Sequence, residues 1–503
     1  MNQITLLGAG KSATVLIDYL KAIATAHQWQ IVVADSNLEA VEAKVGNHDF
    51  VKAVQIDVTN ESDRKTVVQD SHVVISMMPP HLHYLIALDC LELGKHLLTA
   101  SYIDEKIKAL SAEIKDKELL FLCEMGLDPG IDHMSAMQLI HRIKAHDGNI
   151  VSFKSYCGGL VAPESDNNPW HYKISWNPRN VVLAGKSGGV YKENGQIITK
   201  EYEEVFDTGI AVIIDNRKYT YYANRDSLAY IPLYGLEDAQ TFLRATLRHP
   251  EFSFGWQNLI NLKLTDEEKV YETDGMTIPK FFMEHENRHN LNNWIDENAT
   301  QKVNKAKKVL QDLKDGGYIG PDGNLTSKTD EETEDLMRID EQGELRVIVL
   351  RGVEREVANW AASQINIAHI TLSQLFFLGL INDDETIINK GLCSAADVLQ
   401  FILEKKLALQ PTDKDMILML HEIEYEVDDT RHKISSSLVV KGEDSLHTAM
   451  AKTVGLPLGI AAKLILEGKL TTTGLQIPIT SGIYEPVLKE LEEHGIQFKE
   501  TTL

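Results

Sequence analysis

Cysteine is scarce in this 503-residue chain: there are four, Cys90, Cys123, Cys157 and Cys393, widely separated and without a CxxC pair. That spacing excludes a disulfide framework and a CxxC-type zinc site and suits a reducing compartment. Basic residues are also in deficit, 50 Lys plus Arg against 74 Asp plus Glu, for a formal net charge of −24. So acidic a chain is a poor partner for nucleic acid or anionic membrane, both of which attract basic surfaces. No uninterrupted apolar run reaches the roughly 18 residues that a bilayer-spanning helix needs. The opening residues pass straight into a strand-like stretch with no basic segment before it, unlike a secretory signal. The expectation is a cytoplasmic protein whose partners are small molecules. Apolar residues, by contrast, are plentiful at 43 %, and a chain of this length divides into two to four domains, each with its own core.

The first 125 residues alternate strand and helix. Apolar runs at 3–7, 31–34, 51–58, 72–78, 97–100 and 119–123 are separated by helical patterns, the first of them with Val15, Leu16, Tyr19, Leu20 and Ile23 on one face. Continuous apolar strands between helices predict a parallel sheet covered on both faces. The turn after the first strand reads Gly8-Ala9-Gly10-Lys11-Ser12-Ala13, the G-x-G-x-x-A form of the dinucleotide fingerprint. Gly8 permits the tight turn, Gly10 lets the backbone approach a pyrophosphate, and Ala13 keeps helix and strand close. Asp35 closes the second strand, where a carboxylate accepts hydrogen bonds from the ribose hydroxyls and repels a 2′-phosphate. It favours NAD; NADP would need a cation from elsewhere, since no Arg follows in Ser36-Asn37-Leu38-Glu39.

Beyond the sheet come three blocks: Gly126-Leu127-Asp128-Pro129-Gly130-Ile131-Asp132-His133-Met134, Ser155-Tyr156-Cys157-Gly158-Gly159-Leu160 with Ala162-Pro163-Glu164, and Tyr172-Lys173-Ile174-Ser175-Trp176. Asn224-Arg225-Asp226-Ser227 follows. In this order and spacing the chain resembles the glutamate-forming saccharopine dehydrogenases (saccharopine reductases), including the C-terminal half of the bifunctional aminoadipate semialdehyde synthases. The resemblance is strong over 1–250 and resumes over 415–500. It implies an α/β fold with a Rossmann-type domain at 1–125, completed by about 445–503. A mixed α/β substrate and dimerisation domain would occupy 126–234 and 413–444, with a mainly helical domain inserted at 235–412. Independently, 150–232 and 417–440 read as β-rich, with strand-like stretches at 150–157, 181–184, 212–214 and 219–222, and 235–412 reads as mostly helical.

The resemblance further implies an oxidoreductase of lysine metabolism, a homodimer, that interconverts saccharopine with glutamate and 2-aminoadipate 6-semialdehyde. Saccharopine bears three carboxylates, which call for the planar fork of Arg. Arg225 and Arg248 match substrate-binding positions, as do Ser101, Tyr102, Thr246 and Leu247. From sequence alone the plainer reading of Arg225 is an ion pair with its neighbour Asp226. Asp128 matches the position facing the substrate amine, and Tyr102, Asp128 and Cys157 are the candidate acid–base groups. Val58, Met77, Met78 and Ala100 match positions flanking the dinucleotide.

Two features stand apart. His285-Glu286-Asn287-Arg288-His289 formally fits the H-E-x-x-H zinc pattern, but its polar flanks suggest a solvated helix face and no metal. Residues 330–344 hold eight acids against one Arg, which reads as a solvated segment. The rival readings are a related amine dehydrogenase, acting on lysine or carboxynorspermidine, and a non-catalytic NAD-binding protein.

Overall fold

The computed structural model describes residues 1–206, 211–315, 336–339, 345–348, 351–380 and 384–502. The chain divides into two compact units, Met1–Ser253 with Leu407–Leu503, and Phe254–Lys406. In the first unit, β1 (Gln3–Leu7), β2 (Gln30–Asp35), β3 (Val51–Gln55), β4 (Val73–Ser76), β5 (His96–Thr99) and β6 (Leu120–Leu122) form a parallel sheet. Gly474–Gln476, from the far end of the chain, adds a seventh parallel strand beside β6. β1 lies between β2 and β4, so the winding direction reverses there, and a ligand crevice opens at the carboxyl ends of those strands. All four residues of β4 are buried, as a sheet covered on both faces requires. This is the Rossmann-type architecture that the alternating pattern predicts.

The helix Ala449–Leu466 is apolar enough in composition to cross a membrane, yet 72 % of it is buried within the protein. Its glycines explain the fit. A Cβ on Gly455 would stand 2.9 Å from Leu16 Cβ, and one on Gly459 would stand 2.6 Å from the Tyr19 ring. The helix is thus seated directly on α1 (Thr14–His27) and is a core element.

The second sheet has ten strands. Its central path runs through Arg217–Ala223, Thr241–Arg248, β7 (Asn149–Val161), Asp415–Val427 and Thr430–Lys441. The last two form a long hairpin whose connecting residues, Asp428 and Asp429, both have positive φ, as a two-residue type I′ turn requires. Alternation along Thr241–Arg248 splits its side chains. Leu243, Ala245 and Leu247 join a cluster with Tyr156, Tyr221 and Leu418, while Phe242 faces the opposite core with Phe153 and Cys157. The even-numbered residues Arg244, Thr246 and Arg248 lie on the same face as Phe242.

Two expectations need correction. Residues 181–184 do not form a strand: Pro178–Val182 is a helix, begun by Pro178 and capped by Asn177, whose side chain accepts from the Arg179 N–H. Thr241–Arg248, read from its sequence as part of the helical insert, is instead a parallel partner of β7, and the second unit begins at Phe254. That unit is built mainly from helices, including Ile278–His289, Gln301–Asp315, Arg351–Leu378 and Ala395–Lys406. The acidic stretch 330–344 lies outside the described residues except for the strand Leu336–Ile339.

Candidate active site

The glycine-rich turn sits at the reversal point of the first sheet. Gly8 has φ +102°, and a Cβ there would stand 2.9 Å from the carbonyl carbon and oxygen of Met77. Only glycine fits. At Gly10 nothing lies within 4 Å of the corresponding point, which leaves the open backbone approach that a pyrophosphate needs. Asp35 accepts from the Ala9 N–H through Oδ2 at 2.8 Å and from the Asn37 N–H through Oδ1 at 3.2 Å. Lys44 of α2 (Leu38–Val45) donates to the carbonyls of Ala9 and Gly10 at 2.7 and 2.6 Å. Two oppositely charged side chains therefore hold the turn from its two polar edges. A cleft of about 370 Å³ opens over Ala9, Gly10 and Lys11, walled opposite by Ile174, Ser175 and Leu446. These residues fit a dinucleotide.

Of the other expected cofactor neighbours, Ser12 lies within the 3-10 turn Lys11–Ala13. Met77 and Met78 follow β4 and Ala100 follows β5, all at the crevice edge. Val58 differs: it is packed in the core with Ile56 and Val68, and its carbonyl accepts from Arg64 Nη1 at 2.9 Å. Ser101 is tied down by a buried histidine. His83 Nε2 lies 2.9 Å from Ser101 Oγ, and its Nδ1 lies 2.8 Å from Ser76 Oγ. Burial lowers the His83 pKa to about 4, so this link is made by the neutral ring.

Where the loop after β5 meets the second sheet, a charged cluster forms. Asp128 lies at the turn before the helix Ile131–Lys144 and keeps 14 % of its side chain exposed. Arg244 Nη2 donates to Asp128 Oδ1 at 2.9 Å and to Asp132 Oδ2 at 2.6 Å. Its guanidinium lies over the Tyr230 ring at 4.3 Å. Tyr102 Oη and Asn224 Nδ2 both reach Asp128 Oδ1 at 3.4 Å. Behind them, Glu124 Oε2 joins His133 Nε2 at 2.9 Å and Tyr230 Oη at 3.0 Å. Cys157, on β7, is buried beside this cluster and opposite Thr246.

Two arginines remain without a carboxylate. Arg225 does not pair with Asp226, whose Oδ1 instead accepts from the Leu228 N–H at 2.8 Å; its guanidinium lies 5.2 Å over the Tyr102 ring. Arg248 is 3 % exposed and boxed by Tyr172, Tyr222 and Phe252 at 5.5, 5.7 and 5.3 Å. It donates to its neighbour's carbonyl, Leu247 O, at 2.8 Å, while its Nε has no acceptor. Among the described residues neither Arg225 nor Arg248 has a salt-bridge partner. A buried, unpaired guanidinium is costly, and it marks a place prepared for an anion. The side chain of Leu247 faces away from Arg248, into the opposite core, so this residue offers the site its backbone only.

The three acid–base candidates separate by proton affinity. Burial, then the charge of Asp128, raises the Tyr102 phenol above its ordinary value. Burial raises the Cys157 thiol well above its ordinary value, with Asp128 and Asp132 adding to it. Both groups keep their protons at neutral pH. Asp128 is pushed up to about 6, by burial and then by the like charge of Asp132, against the pull of Arg244. Of the three, only Asp128 changes charge near neutrality.

Arg244, Asp132, Asn224 and Glu124 were not among the residues expected to form the site. Arg244 had a legible signal: F-x-R-x-T-x-R over 242–248 is a period-two pattern that places both arginines on one strand face. His285 is fully buried and not on a solvated face, because the helix packs this side inward, and both of its ring nitrogens are engaged there. Its Nδ1 is occupied by Tyr271 Oη at 2.6 Å and its Nε2 by Leu262 O at 2.8 Å.

Comparisons with known proteins agree in direction. A family model described as the saccharopine dehydrogenase C-terminal domain matches residues 126–496, and one described as the saccharopine dehydrogenase NADP binding domain matches 4–122. The chain is 32 % identical to an alpha-aminoadipic semialdehyde synthase of Arabidopsis thaliana over 99 % of its own length, and it spans 44 % of that longer protein. It is 29 % identical to saccharopine dehydrogenase [NADP(+), L-glutamate-forming] of Saccharomyces cerevisiae, with 99 % of each chain covered. The apo structure of histidine-tagged saccharopine dehydrogenase (L-Glu forming) from that yeast superposes with a TM-score of 0.75, covering 100 % of both chains at 29 % identity.

Proposed function

The chain belongs to the saccharopine dehydrogenase family, and from that premise we propose that it interconverts saccharopine with glutamate and 2-aminoadipate 6-semialdehyde in lysine metabolism. The observation that carries the reading is that buried Arg248 and exposed Arg225 have no carboxylate partner among the described residues, while Asp128 keeps part of its side chain exposed. Saccharopine is a secondary amine with three carboxylates. Arg225 and Arg248 bind two of them, and Asp128 faces the amine.

A dinucleotide held at the Gly8–Ala13 turn would supply the hydride acceptor for the carbon that was the lysine ε-carbon. Everything else falls to the protein. Asp128, ionised, takes the proton from the substrate ammonium and leaves nitrogen with a lone pair. Loss of hydride gives a positively charged carbon–nitrogen double bond, and Asp128, once it has passed its proton to solvent, is again the carboxylate that faces that charge. Water adds to that carbon, a proton passes to nitrogen, and the carbon–nitrogen bond breaks to release glutamate and the aldehyde. Tyr102, protonated, and Asn224 donate toward Asp128 Oδ1 and hold the carboxylate in place.

For the dinucleotide we read NADP(H), which the family model and the fungal relatives carry in their names. Asp35 favours the second reading, NAD(H), because a 2′-phosphate beside it is repelled. The earlier preference for NAD rests on that one residue. Measured dissociation constants for both dinucleotides, in the wild type and in Asp35→Ala, separate the two: an NAD enzyme loses NAD affinity in the variant, and an NADP enzyme does not. The homodimer remains part of the proposal and is tested by sedimentation.

The reaction itself is tested by the absorbance of reduced nicotinamide with saccharopine, lysine or carboxynorspermidine as substrate. Reduction with saccharopine alone is expected. Reduction with either of the others but not with saccharopine overturns the reading.

A further inference from the structure

We propose that Arg244 and Asp132 are positioning residues that set the charge of Asp128, because one guanidinium shared between two carboxylates leaves these three groups a single negative charge, matched to the cationic amine of the substrate. This inference rests on the reading of Asp128 as the group that faces that amine.

Arg244 is an unexpected member of a site built to bind carboxylates. It is 3 % exposed, and one nitrogen, Nη2, bridges Asp128 and Asp132 at 2.9 and 2.6 Å. The Tyr230 ring lies against its face at 4.3 Å. The charge of Arg244 is thus already shared between two carboxylates, whereas Arg225 and Arg248 have none among the described residues. Asp132, 2 % exposed, is anchored in turn: its Oδ1 accepts from the Gly130 N–H at 2.6 Å. The three groups form a line from the buried Asp132 to the accessible Asp128.

The charges facing Asp128 come from several elements. Tyr102 lies on the loop after β5, Asp132 and His133 on the following helix, Cys157 on β7, and Arg244 on Thr241–Arg248. Tyr102 and Cys157 stay neutral at the pH of the reaction, for the reasons given above. Within the line of three groups, Arg244 favours the carboxylate of Asp128 and Asp132 opposes it. Removing the cation leaves two buried carboxylates side by side, so Asp128 takes up a proton at higher pH. Removing the Asp132 charge leaves Asp128 sole use of the guanidinium, so it stays ionised to lower pH. The two substitutions therefore act in opposite directions, which loss of packing cannot reproduce.

The test is the acid limb of kcat/KM against pH for saccharopine oxidation, which reports the free enzyme. It compares the wild type with Arg244→Met, Arg244→Lys, Asp132→Asn and Asp128→Asn. The limb is expected to move up by about one unit or more in Arg244→Met and down by about one unit in Asp132→Asn. Arg244→Lys, which keeps the charge, should return the midpoint toward the wild-type value. Asp128→Asn should abolish the limb. If the limb survives in Asp128→Asn, the reading of Asp128 fails and the inference falls with it. If the limb is abolished there but stays unmoved, or moves the same way, in Arg244→Met and Asp132→Asn, the reading stands and the inference is overturned. Should Arg244→Met not fold, Asp132→Asn decides alone: a downward shift supports the inference, and no shift or an upward one contradicts it.

Discussion

The two sheets of the first unit hold their functional groups by opposite means. In the parallel sheet the dinucleotide turn is six consecutive residues, Gly8 to Ala13, and its geometry is that of the backbone: a positive φ at one glycine and open space at another. Where the mixed sheet meets the segments that follow β5 and β6, the charged cluster is made of side chains brought from separate stretches of chain: Tyr102, Asp128, Asn224 and Arg244. A backbone site can be specified by a short local pattern, because a few residues set its shape. A side-chain site depends on strand order and register, which no local window contains.

The sharpest way to break that comparison is to remove one charge from the side-chain site. Asp128→Asn is expected to lower kcat by about 10²–10⁴ while the dinucleotide dissociation constant, read by fluorescence titration, stays near wild type. A parallel loss of dinucleotide binding would mean that the two sites are not separable.

The two buried arginines give the next contrast. Arg244→Met breaks a doubly paired cation and should cost about 3–5 kcal/mol of stability in denaturant titration. Arg248→Met removes a guanidinium that has no carboxylate partner, so stability should be unchanged or higher. There the loss is one of affinity, with the KM for saccharopine rising about 10–100-fold as a charged hydrogen bond disappears. Equal destabilisation by both would contradict the assignment of Arg248 as a waiting anion site.

Within the backbone site, Gly8→Ala places a Cβ 2.9 Å from the Met77 carbonyl at φ +102°, and about 1–3 kcal/mol of stability should be lost. Gly10→Ala meets nothing. Its thermal midpoint should not move, although its dinucleotide affinity should fall. The smallest effect expected is a smooth one. Wild-type saccharopine oxidation should decline as pH falls through about 6, because the ionised form of Asp128 is the one that accepts the proton.

Much of the first sheet was legible in the sequence because continuous apolar strands and a glycine-rich turn are local signals. The hairpin over 415–441 was visible for the same reason, its two aspartates marking the turn. The mixed sheet was less so. Thr241–Arg248 lies in a long stretch of helical pattern, and it was read as helix because its partner β7 is distant in the chain and follows no short-range rule. That misreading also hid Arg244. A helix would put residues 244 and 248 one turn apart on one face as well, but only the strand alternation adds Phe242 and Thr246 to that face. Asp132 and Glu124 were passed over because single carboxylates in a helix or loop carry no signal until a partner from another segment meets them. Family resemblance supplied Tyr102, Asp128, Arg225 and Arg248; the geometry supplies the groups that stand behind them.

Saccharopine can be oxidised at either carbon flanking its nitrogen, and the products released reveal which carbon this protein oxidises. The measurement is the stoichiometry of amino acid released per dinucleotide reduced by the purified protein. One glutamate for each reduced dinucleotide and no free lysine is expected, because the hydride leaves from the former lysine ε-carbon. Release of lysine with 2-oxoglutarate in place of glutamate would contradict it.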